Sequence, residues 1–220
     1  MTDPNWAAYL EWFACTGPAE YFDYLQALSS DRRVRLFFCG DCRLGWPELS
    51  DARSRAAVKV AEAFADGHAG LAELAAAHEA ALQAARREPA EAARWAVAAT
   101  TPVGWEELYV SGWTAAQRGG VWRREAASAG RQKRRRALFR DLCRSPLHGV
   151  MDATWLAGQG KCVVQLAHAI YIKRRFADLP VLADALEEAG CTNADILDHC
   201  RKPGTHVRGC WVVDLLLGKE

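Results

Sequence analysis

Long hydrophobic runs are missing from this sequence. No apolar stretch approaches 18 residues, which excludes a bilayer-spanning helix. A charge excess is missing too: 28 Lys and Arg face 27 Asp and Glu, so nothing steers the whole protein toward nucleic acid or an anionic membrane. The opening Met1-Thr2-Asp3-Pro4-Asn5-Trp6 has no basic and hydrophobic leader, and a cytoplasmic location is expected. Apolar/polar alternation is scarce and no repeat of fixed period occurs, which speaks against sheets and solenoids. Neither G-x-S-x-G, H-E-x-x-H nor G-x-G-x-x-G is found. Gly158-Gln159-Gly160-Lys161-Cys162 falls short of a phosphate loop, because the leading glycine is absent and Cys162 stands where magnesium needs Ser or Thr.

What is present is helical spacing. Trp6, Tyr9, Leu10 and Phe13 share one face of a short helix, and Tyr21 to Leu28 form a second. Ser30 or Asp31 caps a third over 32–44, and Ser50 and Asp51 cap a fourth carrying Val58, Ala61, Phe64 and Ala65 on one face. Between positions 52 and 99 stand 21 alanines, the best helix former, divided at Gly67-His68-Ala69-Gly70 and near Pro89. Leu71, Leu74, Leu82 and Trp95 are its expected anchors. The stretch 101–120 is rich in Gly and Trp and reads partly as loop. Helices follow over about 122–143, 162–171, 180–188, 194–200 and 206–217, with Pro180 at a first turn and Gly190 past a last one. The spacing predicts an all-α protein, a compact bundle of eight to ten short helices with its N- and C-terminal segments packed together. It reads as one domain over 1–220: N-terminal helices 1–67, an Ala/Trp-rich middle 68–130 and C-terminal helices 131–220.

Eight cysteines are many for a chain expected in a reducing compartment. Each taken singly reads as a small buried apolar residue. The constellation that competes with that reading pairs Cys39-Gly40-Asp41-Cys42 with His206-Val207-Arg208-Gly209-Cys210. Residues three or four apart on a helix lie about 5–6 Å apart on one face, so each segment can offer a two-ligand pincer. Two pincers close the tetrahedron that structural zinc takes, with thiolate at about 2.3 Å and imidazole nitrogen at about 2.0 Å. Cys191, His199 and Cys200 are the alternates. Cys39 and Cys42 alone also admit a dithiol redox reading, although that motif belongs after a strand in a βαβ unit.

The segment from Arg118 to Arg144 carries ten Lys or Arg against Glu125 and Asp141. Arg131, Lys133, Arg134, Arg135 and Arg136 of the basic helix 131–144 are therefore candidates for phosphate contacts. A solvated helix face is the competing reading, and the acidic stretch from Asp178 to Asp198, with no Lys or Arg, offers a counter-charge within the chain or across a self-association surface.

Both ends of the chain resemble a known family. Ser30-Asp31-Arg32-Arg33-Val34-Arg35-Leu36-Phe37-Phe38-Cys39, with Cys42-Arg43, resembles the opening of a large uncharacterised planctomycete-type bacterial family. The run Leu179-Pro180-Val181-Leu182-Ala183-Asp184-Ala185-Leu186-Glu187-Glu188-Ala189-Gly190-Cys191 resembles its closing segment, as does His206 through Trp211 and on to Glu220. The resemblance implies no activity. It places Cys39, Cys42, His206 and Cys210 in the matching end segments, which favours a structural site joining the two ends. Members often carry further thiols where this chain has Gly40 and Asp41. The expectation is a non-enzymatic interaction or scaffold protein with a protein partner or self-association, no membrane contact and a structural zinc as its candidate cofactor. A nucleic-acid-binding regulator using 131–144 and a thiol-disulfide oxidoreductase using Cys39 and Cys42 are the alternatives.

Overall fold

The structure, a computed structural model, describes residues 24, 31–87, 91–102, 129–144, 155 and 161–219. The helices expected at 6–13 and 21–28, the Gly/Trp-rich stretch beyond 102 and the connector over 145–160 fall mostly or wholly outside these residues. Among the described residues there are nine α-helices and no strand. The all-α expectation holds. The chain forms two compact units, one of Phe13–Phe139 and one of Met1–Trp12 with Arg140–Glu220.

In the first unit, α1 (Asp31–Leu44), α2 (Ala52–Ala65), α3 (Leu71–Ala85) and α4 (Glu91–Thr100) pack on one another. Asp51 caps α2 by accepting the Arg53 backbone N–H at 2.8 Å, which satisfies one orphan donor of the first turn. Gly67 at φ 73° lets the chain turn before α3. The alanine faces close tightly: Ala57, Ala61, Ala81, Ala84, Ala93 and Ala96 are buried. Large anchors do what methyl groups cannot, and Phe38 stacks on Trp95 with ring centroids 5.4 Å apart. Leu74 is buried as expected, whereas Leu71, at the first position of α3, is 59% exposed.

Two buried cations shape this unit. Arg35 donates to the carbonyls of Ala99 at 2.5 Å and Thr101 at 3.2 Å, closing the end of α4 where carbonyls lack helical partners. Burial pulls its pKa down, against the charges of Cys39 and Asp31. Arg135, on α5 (Ala129–Leu142), grips Asp41 through Nε at 2.5 Å and an Nη at 2.8 Å, both residues buried. A Cβ on the neighbouring Gly40 would meet Leu138 Cδ1 at 2.5 Å. Gly40 thus lets α1 and this part of α5 approach, and Asp41 supplies the counter-charge.

The second unit holds α6 (Lys161–Lys173), α7 (Leu179–Glu188), α8 (Ala194–Arg201) and α9 (Trp211–Leu217). Asn193 caps α8 by accepting from the backbone N–H groups of Asp195 and Ile196, and Gly190 at φ 91° follows α7. Val163, Ala167 and Ile170 form the buried stripe of α6 and meet Leu182, Leu186, Ile196, Val212 and Leu216. Tyr171, fully buried, has the Arg208 guanidinium 5.2 Å and the Lys219 ammonium 4.9 Å from its ring centre. His168, on the same helix, is exposed.

The last helix differs from expectation. It begins at Trp211, and His206 to Cys210 form a turn in which the Cys210 N–H donates to the Val207 carbonyl at 3.1 Å. Lys202-Pro203-Gly204 precedes this turn and Gly209 sits within it at φ 93°, a conformation a continuing helix cannot use.

Candidate functional site

Within the second unit, Asp141, His199, His206 and Cys210 each offer one ligand atom, and all four atoms lie within 4.8 Å of one another. Asp141 lies in the last turn of α5, where the negative end of the helix disfavours a carboxylate. It is buried nonetheless, because its oxygens are met. Oδ1 is 3.2 Å from His199 Nε2 and 2.6 Å from His206 Nδ1, and Oδ2 accepts the Val207 backbone N–H at 2.9 Å. His199 comes from the last turn of α8, the end that favours a cation. Its Nε2 is 3.3 Å from Cys210 Sγ, and its Nδ1 accepts the Trp211 indole N–H at 3.0 Å. Cys210 stands immediately before α9.

The electrostatics follow from this packing. Burial works against a charged Asp141, yet hydrogen bonds from His199 and His206 hold its carboxyl below the usual range. Burial likewise opposes a protonated His206, but the Asp141 hydrogen bond and charge, with the Lys202 backbone, hold its pKa above the usual value. Burial pushes the Cys210 thiol well up, and the Asp141 charge adds to the shift. Without a metal the group is a hydrogen-bonded network that keeps one buried negative charge.

The same geometry could hold a metal ion. Ligands about 2.0–2.3 Å from a tetrahedral centre stand roughly 3.3–3.5 Å from one another. The 3.2 Å and 3.3 Å separations around His199 Nε2 approach that edge length. Asp141 and His206, at 2.6 Å, would separate by roughly 0.7–0.9 Å to make room. His206 has the outer contact expected of a ligating histidine, since the Lys202 backbone engages the ring beyond Asp141.

Of the expected ligands, His206 and Cys210 belong to this group, as does the alternate His199. Cys39 and Cys42 lie in the first unit, where Cys39 Sγ donates to the Val58 carbonyl at 3.9 Å and Cys42 Sγ to that of Ala92 at 3.4 Å. They occupy the buried face of α1. The alternates Cys191 and Cys200 are buried outside the group, and burial with the Asp141 charge pushes the Cys200 thiol up to about 12. Asp141 was the residue that spacing did not find. Its signal is a lone acid in the last turn of an otherwise basic helix.

The basic run is divided in its surroundings. Lys133 and Arg134 are exposed and Arg136 is half-buried, while Arg135 is committed to Asp41. The Arg131 side chain lies outside the described residues. Burial drives the Cys42 thiol well above its ordinary value, with the charge of Cys39 adding, the opposite of what a nucleophilic dithiol requires. No described helix is long and apolar enough to cross a membrane.

Comparison with family models, with curated proteins and with solved structures gives no match.

Proposed function

We propose that this chain is a non-catalytic interaction or scaffold protein whose second unit is fixed by one structural zinc on Asp141, His199, His206 and Cys210. The observation that carries the reading is the convergence of these four ligand atoms, within 4.8 Å, from three separate parts of the chain. Two nitrogens, one oxygen and one sulfur suit zinc, which accepts all three donor types and is four-coordinate in closed structural sites. Burial of Asp141 and Cys210, with the two histidines only partly exposed, supports a closed site over an open catalytic one. His206 and Cys210 also lie in the closing segment that resembles the planctomycete-type family. The interaction role draws support from Ile172 and Val181, large apolar side chains exposed on this same unit.

A metal held by the folded chain and not by the unfolded one stabilises it by mass action, about 2.7 kcal/mol at a hundred times the dissociation constant. Protein purified without a tag or chelator should carry near one zinc per chain by elemental analysis. Chelation should lower its melting temperature, and the Cys210→Ser variant should lose both the zinc and the response to chelator. A parent protein that takes up no zinc, even when the metal is added back, overturns the reading.

A further inference from the structure

We propose that metal binding at this group and the Trp211–His199 hydrogen bond exclude one another, so that loading the site releases the Trp211 indole and α9 registers the metal. The inference rests on the zinc reading above. It begins with the donor inventory. An indole N–H only donates, so the His199 Nδ1 that it meets at 3.0 Å presents a lone pair. A neutral imidazole has one N–H, which then sits on Nε2 and points toward Asp141 Oδ1 and Cys210 Sγ, 3.2 Å and 3.3 Å away. That is a good arrangement for satisfying a buried carboxylate. It leaves no lone pair for a metal.

Coordination through Nε2 needs the opposite tautomer. The ring keeps its proton count, but the proton moves from Nε2 to Nδ1, where it opposes the indole N–H across 3.0 Å. Two donors cannot share that contact. On loading, bonds form from the metal to His199 Nε2, His206 Nδ1, an Asp141 oxygen and Cys210 Sγ. The Cys210 thiol and His206, which carries a proton on Nδ1 toward Asp141 Oδ1, each give one proton to solvent, and the His206–Asp141 and Trp211–His199 hydrogen bonds break. His206 must also give up its Nδ1 proton, but its other nitrogen can keep a proton toward the Lys202 backbone, so no second donor opposes it. His199 is therefore the ligand that makes the site exchangeable.

The released residue opens a helix. Trp211 is the first residue of α9, is buried, and follows the ligand Cys210 directly in sequence. Metal binding would draw Cys210 inward while freeing its neighbour, so the start of α9 receives both changes. A zinc site of this kind does more than brace the fold. It couples metal occupancy to the position of one tryptophan.

The test uses the 220-residue protein, freed of metal by a chelator and titrated with zinc alone. Zinc affinity is read by competition with a chromophoric chelator, and Trp211 by its indole N–H resonance in nitrogen-15-labelled protein. That resonance is assigned by its loss in Trp211→Phe, or in the parent through contacts with the His199 ring, 5.0 Å away between centroids. Zinc should saturate at one per chain while the Trp211 resonance moves from its metal-free position in step with loading. Trp211→Phe, which lacks the competing donor, should bind zinc about 2- to 10-fold more tightly. One zinc bound with an unmoved resonance, or unchanged or weaker affinity in Trp211→Phe, overturns the inference and leaves the zinc reading standing. A parent that binds no zinc overturns both.

Discussion

Each unit buries carboxylates, and Asp41 in the first and Asp141 in the second are satisfied by different chemistry. In the first, Asp41 faces the Arg135 guanidinium in a two-point grip. In the second, Asp141 shares its oxygens among two imidazoles and a backbone N–H, with a thiol at the edge of the group. Arginine stays charged at any ordinary pH and binds no cation. Histidine and cysteine exchange protons and accept metals. Asp41 is thereby locked into a permanent pair, whereas Asp141 stands among partners that can change state.

Breaking the permanent pair should have the largest effect. Asp41→Ala leaves a buried guanidinium without its counter-charge and should cost about 3–5 kcal/mol in urea denaturation, with or without chelator. Replacing both residues by apolar ones of similar volume should recover most of that loss. A cost that depended on zinc would erase the distinction between the units.

Gly40→Ala should be next. Its methyl would sit 2.5 Å from Leu138 Cδ1, and a shift of Leu138 with its neighbours should cost about 1–3 kcal/mol. Amide hydrogen exchange in α1 and α5 reads it. An unchanged melting temperature would show that α1 and this part of α5 have room to spare.

The smallest effect is one of pH, and it sharpens the comparison most. In metal-free protein, the raised pKa of His206 contributes stability that is complete below about 6.5 and is lost as pH rises through the folded value. The lowered pKa of Asp141 contributes stability present above about 3.9 and lost as pH falls through its lower folded value. The second unit should therefore be firmest between about pH 4 and 6.5 and loosen as pH climbs to 8. Exchange in α8 and α9 should quicken over that interval in the chelated protein. Added zinc should oppose the trend, since metal binding strengthens as its ligands lose protons. Identical pH responses in parent and His206→Asn would remove the assignment to His206.

Local signals were readable where the chemistry is local. Asp51 begins one helix and Gly190 ends another through contacts with their immediate neighbours, and both are legible in the sequence as a cap and a stop. His206, Cys210 and His199 were visible because they lie close together in sequence. Asp141 was not, because it stands 58 residues from His199 and 65 from His206, inside a run whose positive charge drew attention to the wrong sign. The Cys39/Cys42 spacing was equally readable but ambiguous. Two thiols three apart on a helix suit a metal or a core equally well, and the apolar residues around them decide in favour of packing. The spacing over 206–217 reads as one helix, but Gly209 takes a left-handed conformation that keeps 206–210 out of it, and the helix begins at Trp211.

Arg35 closes α4 from a distance, since its bond to Ala99 spans 64 positions of chain. A helix finished by its own glycine can complete its last turn as soon as that turn is made. This one cannot. During synthesis Arg35 emerges long before Ala99 exists and must stay hydrated until the whole alanine-rich stretch has followed it. Burial of the last carbonyls of α4 beneath Arg35 is therefore expected to wait on closure of a long loop, whatever the helix propensity of the alanines.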